Sequence, residues 1–214
     1  MEIFLQAAIL LLTLAILFAI RYVPKQTGTK HRTDHRGATQ TQRHLTRATY
    51  LLSRAKSNPH EDQSQTLAKT AMTEIEKALS LSPKDPTPHL LKSLALDLLD
   101  HKGSALRSLD LALASPRVKS LSERERVEAM VRRAELKLAV NKRRRVDSAV
   151  RDLEEAVRMS DQQGAIITKA FCLLGECYEF KGMKEEARNA LQEALKLEPG
   201  SSVAHQGLGR LSLS

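Results

Sequence analysis

From Thr41 to the end of the chain, apolar residues recur at every third or fourth position in segments of about 12 to 18 residues. This spacing places the apolar side chains on one face of a helix, whereas a half-buried strand would alternate apolar and polar residues. Turn-forming residues separate the segments at Asn58-Pro59, Ser82-Pro83, Ser115-Pro116 and Glu198-Pro199-Gly200. The pattern predicts an all-α chain of helical hairpins.

Four alanines mark an internal repeat: Ala71, Ala105, Ala149 and Ala187 lie 34, 44 and 38 residues apart. Each is followed four positions later by isoleucine or leucine and seven positions later by another alanine. A recurring period of this length indicates a solenoid, in which stacked hairpins share one core. The expected repeats are about 41–83, 87–116, 122–161 and 168–201, with a short capping helix at 203–213.

The last repeat combines a Leu-Gly pair, flanking aromatic residues, alanines in the second helix and a closing proline. This pattern resembles the tetratricopeptide repeat (TPR) family, and the matching residues are Phe171, Leu174, Gly175, Tyr178, Ala187, Leu191, Ala194 and Pro199. The small Gly175 and Ala187 allow the two helices to approach closely. The other three repeats depart from the pattern, for example at Leu136-Lys137 in place of Leu-Gly.

The TPR resemblance implies a concave surface, lined by the first helix of each hairpin, that holds an extended peptide or a helix of a partner protein. The positions that match this surface in the third and fourth repeats are Val131, Ala134, Leu138, Asn141, Lys169, Cys172, Glu176, Glu179 and Phe180. Some TPR domains clamp a carboxylate tail with Lys and Asn side chains, but here these positions are mostly apolar or acidic. Glu176 and Glu179 instead favour a mixed or basic ligand.

The N-terminal segment Ile3–Ile20 is an apolar run of 18 residues, interrupted only by Gln6 and Thr13. As a helix it would be about 27 Å long, close to the thickness of the hydrocarbon core of a bilayer. Residues 1–22 are therefore predicted to form an uncleaved transmembrane anchor. A cleaved signal peptide and a buried core helix are the alternatives, although no good cleavage site follows the run.

Basic residues are concentrated directly after this segment. Seven lysines and arginines against one acid lie between Arg21 and Arg47, so this stretch carries +6 of the net charge of +9. Residues 23–40 are expected to form a basic flexible linker. Because flanking cations stay on the cytosolic side of a membrane, the C-terminal domain is predicted to face the cytosol. By analogy, the expected membranes are the mitochondrial or chloroplast outer membrane or the endoplasmic reticulum.

A second basic cluster, Lys142, Arg143, Arg144 and Arg145, falls in the predicted loop of the third hairpin. It is a candidate contact for lipid headgroups or phosphate, and a solvated loop is the plain alternative. Nucleic-acid binding is not expected, because the sequence shows neither interleaved aromatic residues nor a recognition motif.

The sequence shows no motif for catalysis, metal binding or a cofactor. It has no glycine-rich phosphate loop, and Cys172 and Cys177 lie without a second pair that would complete a zinc site. Both cysteines are expected to be buried, reduced thiols. The predicted function is a membrane-anchored adaptor that binds a protein, not an enzyme. The alternatives are a structural or assembly subunit of a membrane complex and a lumenal or secreted protein.

Overall fold

The computed structural model describes residues 27–160 and 164–213, and every regular element within them is helical. The all-α prediction is therefore confirmed for this part of the chain. The helices are α1 (Thr27–Ser57), α2 (Glu61–Leu81), α3 (Thr87–Leu98), α4 (Lys102–Leu113), a 3-10 turn (Arg117–Ser120), α5 (Glu123–Met159), α6 (Ala165–Phe180), α7 (Lys184–Leu197) and α8 (Ser202–Leu213).

The range labelled α5 contains two helices, which form a hairpin. They are joined by a single non-helical residue, Asn141, with φ −163° and ψ 88°. The guanidinium of Arg133 binds the carboxylate of Asp152, which would lie about 28 Å away along a straight helix. The chain therefore folds back on itself at residue 141. The side-chain oxygen of Asn141 accepts a hydrogen bond from the backbone N–H of Arg144 at 3.0 Å, which caps the second half of the helix.

From Thr41 onward, the described residues form one compact unit. Within this unit, α1 pairs with α2, α3 with α4, the first half of α5 with the second, and α6 with α7, while α8 packs on α6 and α7. Its buried clusters each join successive hairpins: one spans α1 to α3, the next spans α3 to α5, and two more connect α5 to α8. This sharing of a core between neighbours is the solenoid that the repeat predicts.

The crossing of α6 and α7 depends on a glycine. A Cβ atom placed on Gly175 would lie 2.6 Å from Cγ of Leu191, and one placed on Gly207 of α8 would lie 2.7 Å from Cδ1 of the same leucine. Leu191 is 1% exposed and fills the space that both glycines leave. Ala187 and Ala194, on the same face of α7, are fully buried. The three helices can therefore pack closely only around small residues.

A buried ion cluster joins the two halves of α5. Asp152, 8% exposed, accepts hydrogen bonds from Nε and Nη2 of Arg133 at 2.8 and 2.7 Å and from Nζ of Lys137 at 2.8 Å. Nζ of Lys137 also donates to the carbonyl of Ser148 at 3.0 Å. Lys137 occupies the position of the TPR glycine, so in this repeat a polar network takes the place of close helix contact.

Residues 23–40 were expected to form a flexible linker. The part of this stretch that the structure describes, from Thr27 onward, is instead helical. This stretch is polar, contains Gly28 and Gly37, and has no apolar period, so periodicity does not reveal a helix there. Each glycine costs about 1 kcal/mol relative to alanine. Extending the helix that packs from Thr41 onward nevertheless requires no new nucleus.

No helix among residues 27–160 and 164–213 has the length and apolar character needed to cross a bilayer. The predicted anchor, Ile3–Ile20, lies outside the described residues.

Candidate functional site

A concave groove lies on the first helices of the first three hairpins. It consists of two adjoining clefts of about 580 and 320 Å³, formed by α1, α3 and the start of α5. Both clefts are lined by Thr49, Ser53 and Leu91. We call this surface the N-terminal groove.

Three leucines of α3 form the apolar lining of the N-terminal groove. Leu91, Leu94 and Leu98 recur at the spacing of one helix face, and each is only partly buried. Charged side chains of both signs also line the groove, namely Lys56, Asp85, Asp97, Glu125 and Arg132. Because no other described helix covers these leucines fully, a ligand with apolar side chains would remove their remaining surface from water, which is favourable by about 25 cal/mol per Å².

The sequence did not reveal this groove, because the matched TPR positions drew attention to the third and fourth repeats. Two of those positions, Val131 and Ala134, are 1% and 0% exposed, in a cluster that α5 shares with α6. Leu138 packs against the same cluster. The next hairpin covers that face of Val131 and Ala134, and their contact with a ligand stays a prediction. The leucine stripe on α3 was the signal that could have revealed the groove.

Asn141 and Phe180, also expected in the groove, lie at the hairpin turns. Asn141 caps the second half of α5, so its side-chain oxygen is engaged in the fold. Phe180 is 49% exposed, and Nζ of Lys142 lies 5.1 Å from its ring centroid. The basic residues 142–145 do not form a loop as expected but the first turn of a helix, because Asn141 alone makes the break.

Three other predicted residues do come together. Lys169, Cys172 and Glu176 line a cleft of about 470 Å³ between α6 and the connection from α7 to α8, which we call the C-terminal cleft. Nζ of Lys169 binds the carboxylate of Glu135, one period earlier in the chain, at 2.8 Å. Glu198 also lines the cleft, so acidic residues outnumber basic ones in the lining of the cleft.

Glu179 lies apart from the C-terminal cleft and binds the C-terminal helix α8. Its carboxylate accepts two hydrogen bonds from the guanidinium of Arg210 in α8, at 3.1 and 2.8 Å. The same bonds lower the pKa of Glu179 and raise that of Arg210. Glu179 therefore has a structural partner already.

The two cysteines are buried and unpaired. Burial raises the pKa of Cys177 to about 11, and it also raises that of Cys172, whose Sγ lies 3.8 Å from the hydroxyl of Ser201. A thiol with a raised pKa carries little of the nucleophilic thiolate at neutral pH. Within the described ranges, no group of three or more His, Cys, Asp or Glu side chains is placed to hold a metal ion.

The fourth repeat matches a known family of helical repeats. The tetratricopeptide repeat profile matches residues 168–201, which span α6, α7 and the turn between them. A comparison with curated proteins gave no significant match.

Several solved structures share the fold. PilF of Pseudomonas aeruginosa has a TM-score of 0.62 and 16% identity, covering 82% of this chain and 68% of that chain. TTC0263, described as a thermophilic TPR protein of Thermus thermophilus, has a TM-score of 0.54 and 18% identity, with 81% of each chain covered. YrrB, described as a TPR protein with an unusual peptide-binding site, has a TM-score of 0.55 and 18% identity, covering 77% of this chain and 81% of that chain.

At these identities the structural likeness shows the fold alone. Residues 168–201 thus match the tetratricopeptide repeat, and they lie within a stack of helical hairpins whose fold the chain shares with TPR proteins.

Proposed function

We propose that this protein is a binding scaffold that holds a segment of a partner protein in the N-terminal groove. The observation that carries the proposal is the partly exposed leucine stripe, Leu91, Leu94 and Leu98, inside a concave surface built by three successive hairpins. A catalytic role would need reactive groups held together, whereas this groove offers mainly apolar side chains and hydroxyls. Binding of a peptide is the activity that such a lining supports.

The groove favours a partner segment with apolar residues at helical spacing. Leu91, Leu94 and Leu98 repeat every three or four residues, so a helix laid along α3 would match them with its own apolar face. Asp97 and Arg132 would then orient the segment through charges of opposite sign. YrrB is described as a TPR protein with an unusual peptide-binding site, which supports peptide binding as a use of the shared fold.

Filling the groove should weaken partner binding without unfolding the protein. Ser53 is exposed and lines both clefts, so Ser53→Trp would place a large ring where the ligand lies. A photoreactive amino acid at Thr49 in the full chain would first identify the bound segment by mass spectrometry. A synthetic peptide of that segment is then titrated with each variant and its binding is measured by fluorescence anisotropy. We expect Ser53→Trp to raise the dissociation constant of the peptide at least about tenfold, or about 1.4 kcal/mol.

Thr73→Trp is the matched control. Thr73 is exposed on α2, and its hydroxyl donates to the carbonyl three residues earlier at 2.8 Å, as that of Ser53 does. The control should bind like the unmodified protein. Equal affinity of Ser53→Trp and the unmodified protein would rule out the N-terminal groove as the binding site.

We further propose that Ile3–Ile20 anchors the protein in a membrane with the helical domain in the cytosol, on a mitochondrial or chloroplast outer membrane or the endoplasmic reticulum. The support is the apolar run in the sequence and the basic residues that follow it.

Protease treatment of intact organelles tests the anchor and its orientation. In the full-length protein with a C-terminal tag, we expect external protease to remove the tag without detergent, while carbonate fails to extract the untreated protein. A tag that stays protected would contradict the cytosolic orientation, and release by carbonate would contradict the anchor.

A further inference from the structure

The turns of the third and fourth hairpins lie side by side. Nζ of Lys142 stacks on the ring of Phe180, and Nζ of Lys181 binds the carboxylate of Asp147 at 2.7 Å. These contacts join the break in α5 to the end of α6. We define the basic edge as the surface made by Val140, Lys142, Arg143, Arg144, Arg145 and Phe180.

The four cations of the basic edge have no acidic partners among residues 27–160 and 164–213. None of them forms an ion pair there. The nearby acids are engaged elsewhere, since Asp147 binds Lys181 and Glu179 binds Arg210. Although the charge of Lys142 helps to lower the pKa of Glu179, the basic edge carries a net positive charge with no ion pair of its own in the described residues.

These cations do not stabilise the helix on which they lie. The N-terminal end of a helix carries partial positive charge and is stabilised by acidic residues. Helices α2, α5 and α7 follow this rule, with Glu61, Glu123 and Glu185 in their first turns. The second half of α5 instead begins with four basic residues. Helix stability therefore gives no reason for the cluster, whereas an anionic ligand would.

Exposed apolar side chains accompany the charges. Phe180, whose ring lies beneath Nζ of Lys142, is 49% exposed, and Val140, two residues before Lys142 in the chain, is 39% exposed. Aromatic and basic side chains together are favoured at the boundary between lipid headgroups and acyl chains. Long basic side chains add attraction to anionic lipids within a Debye length of the surface.

We propose that the basic edge binds the surface of a bilayer that contains anionic lipids. The edge lies where two neighbouring hairpins reverse the chain, and it lines none of the three clefts described above. Flexible cations on such a surface suit a layer of mobile headgroups, whereas a peptide is better held by a concave site. This contact does not depend on the N-terminal anchor, and it would fix which face of the domain meets the membrane.

A single tryptophan can report the contact, because the chain contains none. The full-length protein with Phe180→Trp is reconstituted with vesicles of phosphatidylcholine alone, or with added phosphatidylserine. We expect a blue shift of tryptophan emission, and quenching by spin-labelled lipid, only in the vesicles that contain phosphatidylserine.

The charge requirement is tested in the same background. Replacing Lys142, Arg143, Arg144 and Arg145 together with glutamine should remove most of the shift and the quenching. The control replaces four exposed cations elsewhere, Lys69, Arg107, Lys119 and Lys196, so that the net charge falls equally. This control should keep the signal. Circular dichroism confirms that both variants are folded.

Several outcomes would overturn the proposal. Equal signals in neutral vesicles, an unchanged signal after removal of the four cations, or an equal loss in the control would each exclude specific binding of anionic lipid. A soluble acidic peptide or oligonucleotide that outcompetes the vesicles would assign the edge to another partner. Flotation of the full-length protein with neutral vesicles tests the N-terminal anchor separately. If the protein does not float with neutral vesicles, the proposed anchor is contradicted, while the emission signal in anionic vesicles still reports on the basic edge.

Discussion

Replacing Asp152 with alanine is expected to destabilise the protein by about 3 kcal/mol. The carboxylate binds both Arg133 and Lys137, whose side chains are only 20% and 12% exposed. Its removal leaves Lys137 without an acidic partner and Arg133 with only the exposed Asp110, and breaking a buried pair in this way costs about 3 to 5 kcal/mol. We expect the lower end, because both cations retain some exposure. Urea denaturation followed by circular dichroism measures the change.

Asp110→Ala is the control for this prediction. Asp110 lies 3.6 Å from Nη1 of Arg133, but its side chain is 52% exposed, so its loss should change stability by less than about 1 kcal/mol. Replacing Arg133, Lys137 and Asp152 together with apolar residues should recover much of the loss, since no charge is then left buried. Similar stabilities for Asp152→Ala and Asp110→Ala would contradict the assigned role of the cluster.

Gly175→Leu is expected to destabilise the protein by about 3 kcal/mol or more. Even the first carbon of the new side chain would lie 2.6 Å from Cγ of Leu191, which is itself enclosed by α8 at Gly207. Overpacking of a dense core typically costs about 1 to 3 kcal/mol, and here α7 and α8 would both have to move. The midpoint of chemical denaturation should therefore fall.

Gly209→Leu tests whether the loss is due to packing. Gly209 also lies on a helix, but a Cβ there meets nothing within 4 Å. Leucine has a better helix propensity than glycine, so this variant should be neutral or up to about 1 kcal/mol more stable. In addition, Leu191→Ala combined with Gly175→Leu should cost less than the sum of the two single changes. Strict additivity would show that the two residues do not compete for space.

The helical hairpins could be predicted because their buried faces leave a pattern in the sequence. Leu153 and Leu191, for example, recur at equivalent positions, and each is almost fully buried. The helix over residues 27–40 could not be predicted in this way, because it has no apolar face. The break in α5 was misplaced into the basic cluster, since a single capping residue, Asn141, is enough to reverse the chain.

The candidate site was harder to predict than the fold. Val131 and Leu91 are both apolar residues on the first helix of a hairpin, yet Val131 is 1% exposed and Leu91 lines an open groove. The difference arises from how the neighbouring hairpins cover each helix. Periodicity shows which face of a helix is apolar, but only the stacking of hairpins decides whether another helix or a ligand covers it.

The succession of shared clusters also bears on how the chain is made. Each cluster joins helices that are close in sequence, so no part of the described core waits for a distant segment. Such low contact order favours fast folding. As the chain leaves the ribosome, each new hairpin meets an apolar face already presented by the one before it. When α8 emerges, it finds the face of α6 and α7 already formed, so the fourth hairpin is exposed only briefly during synthesis.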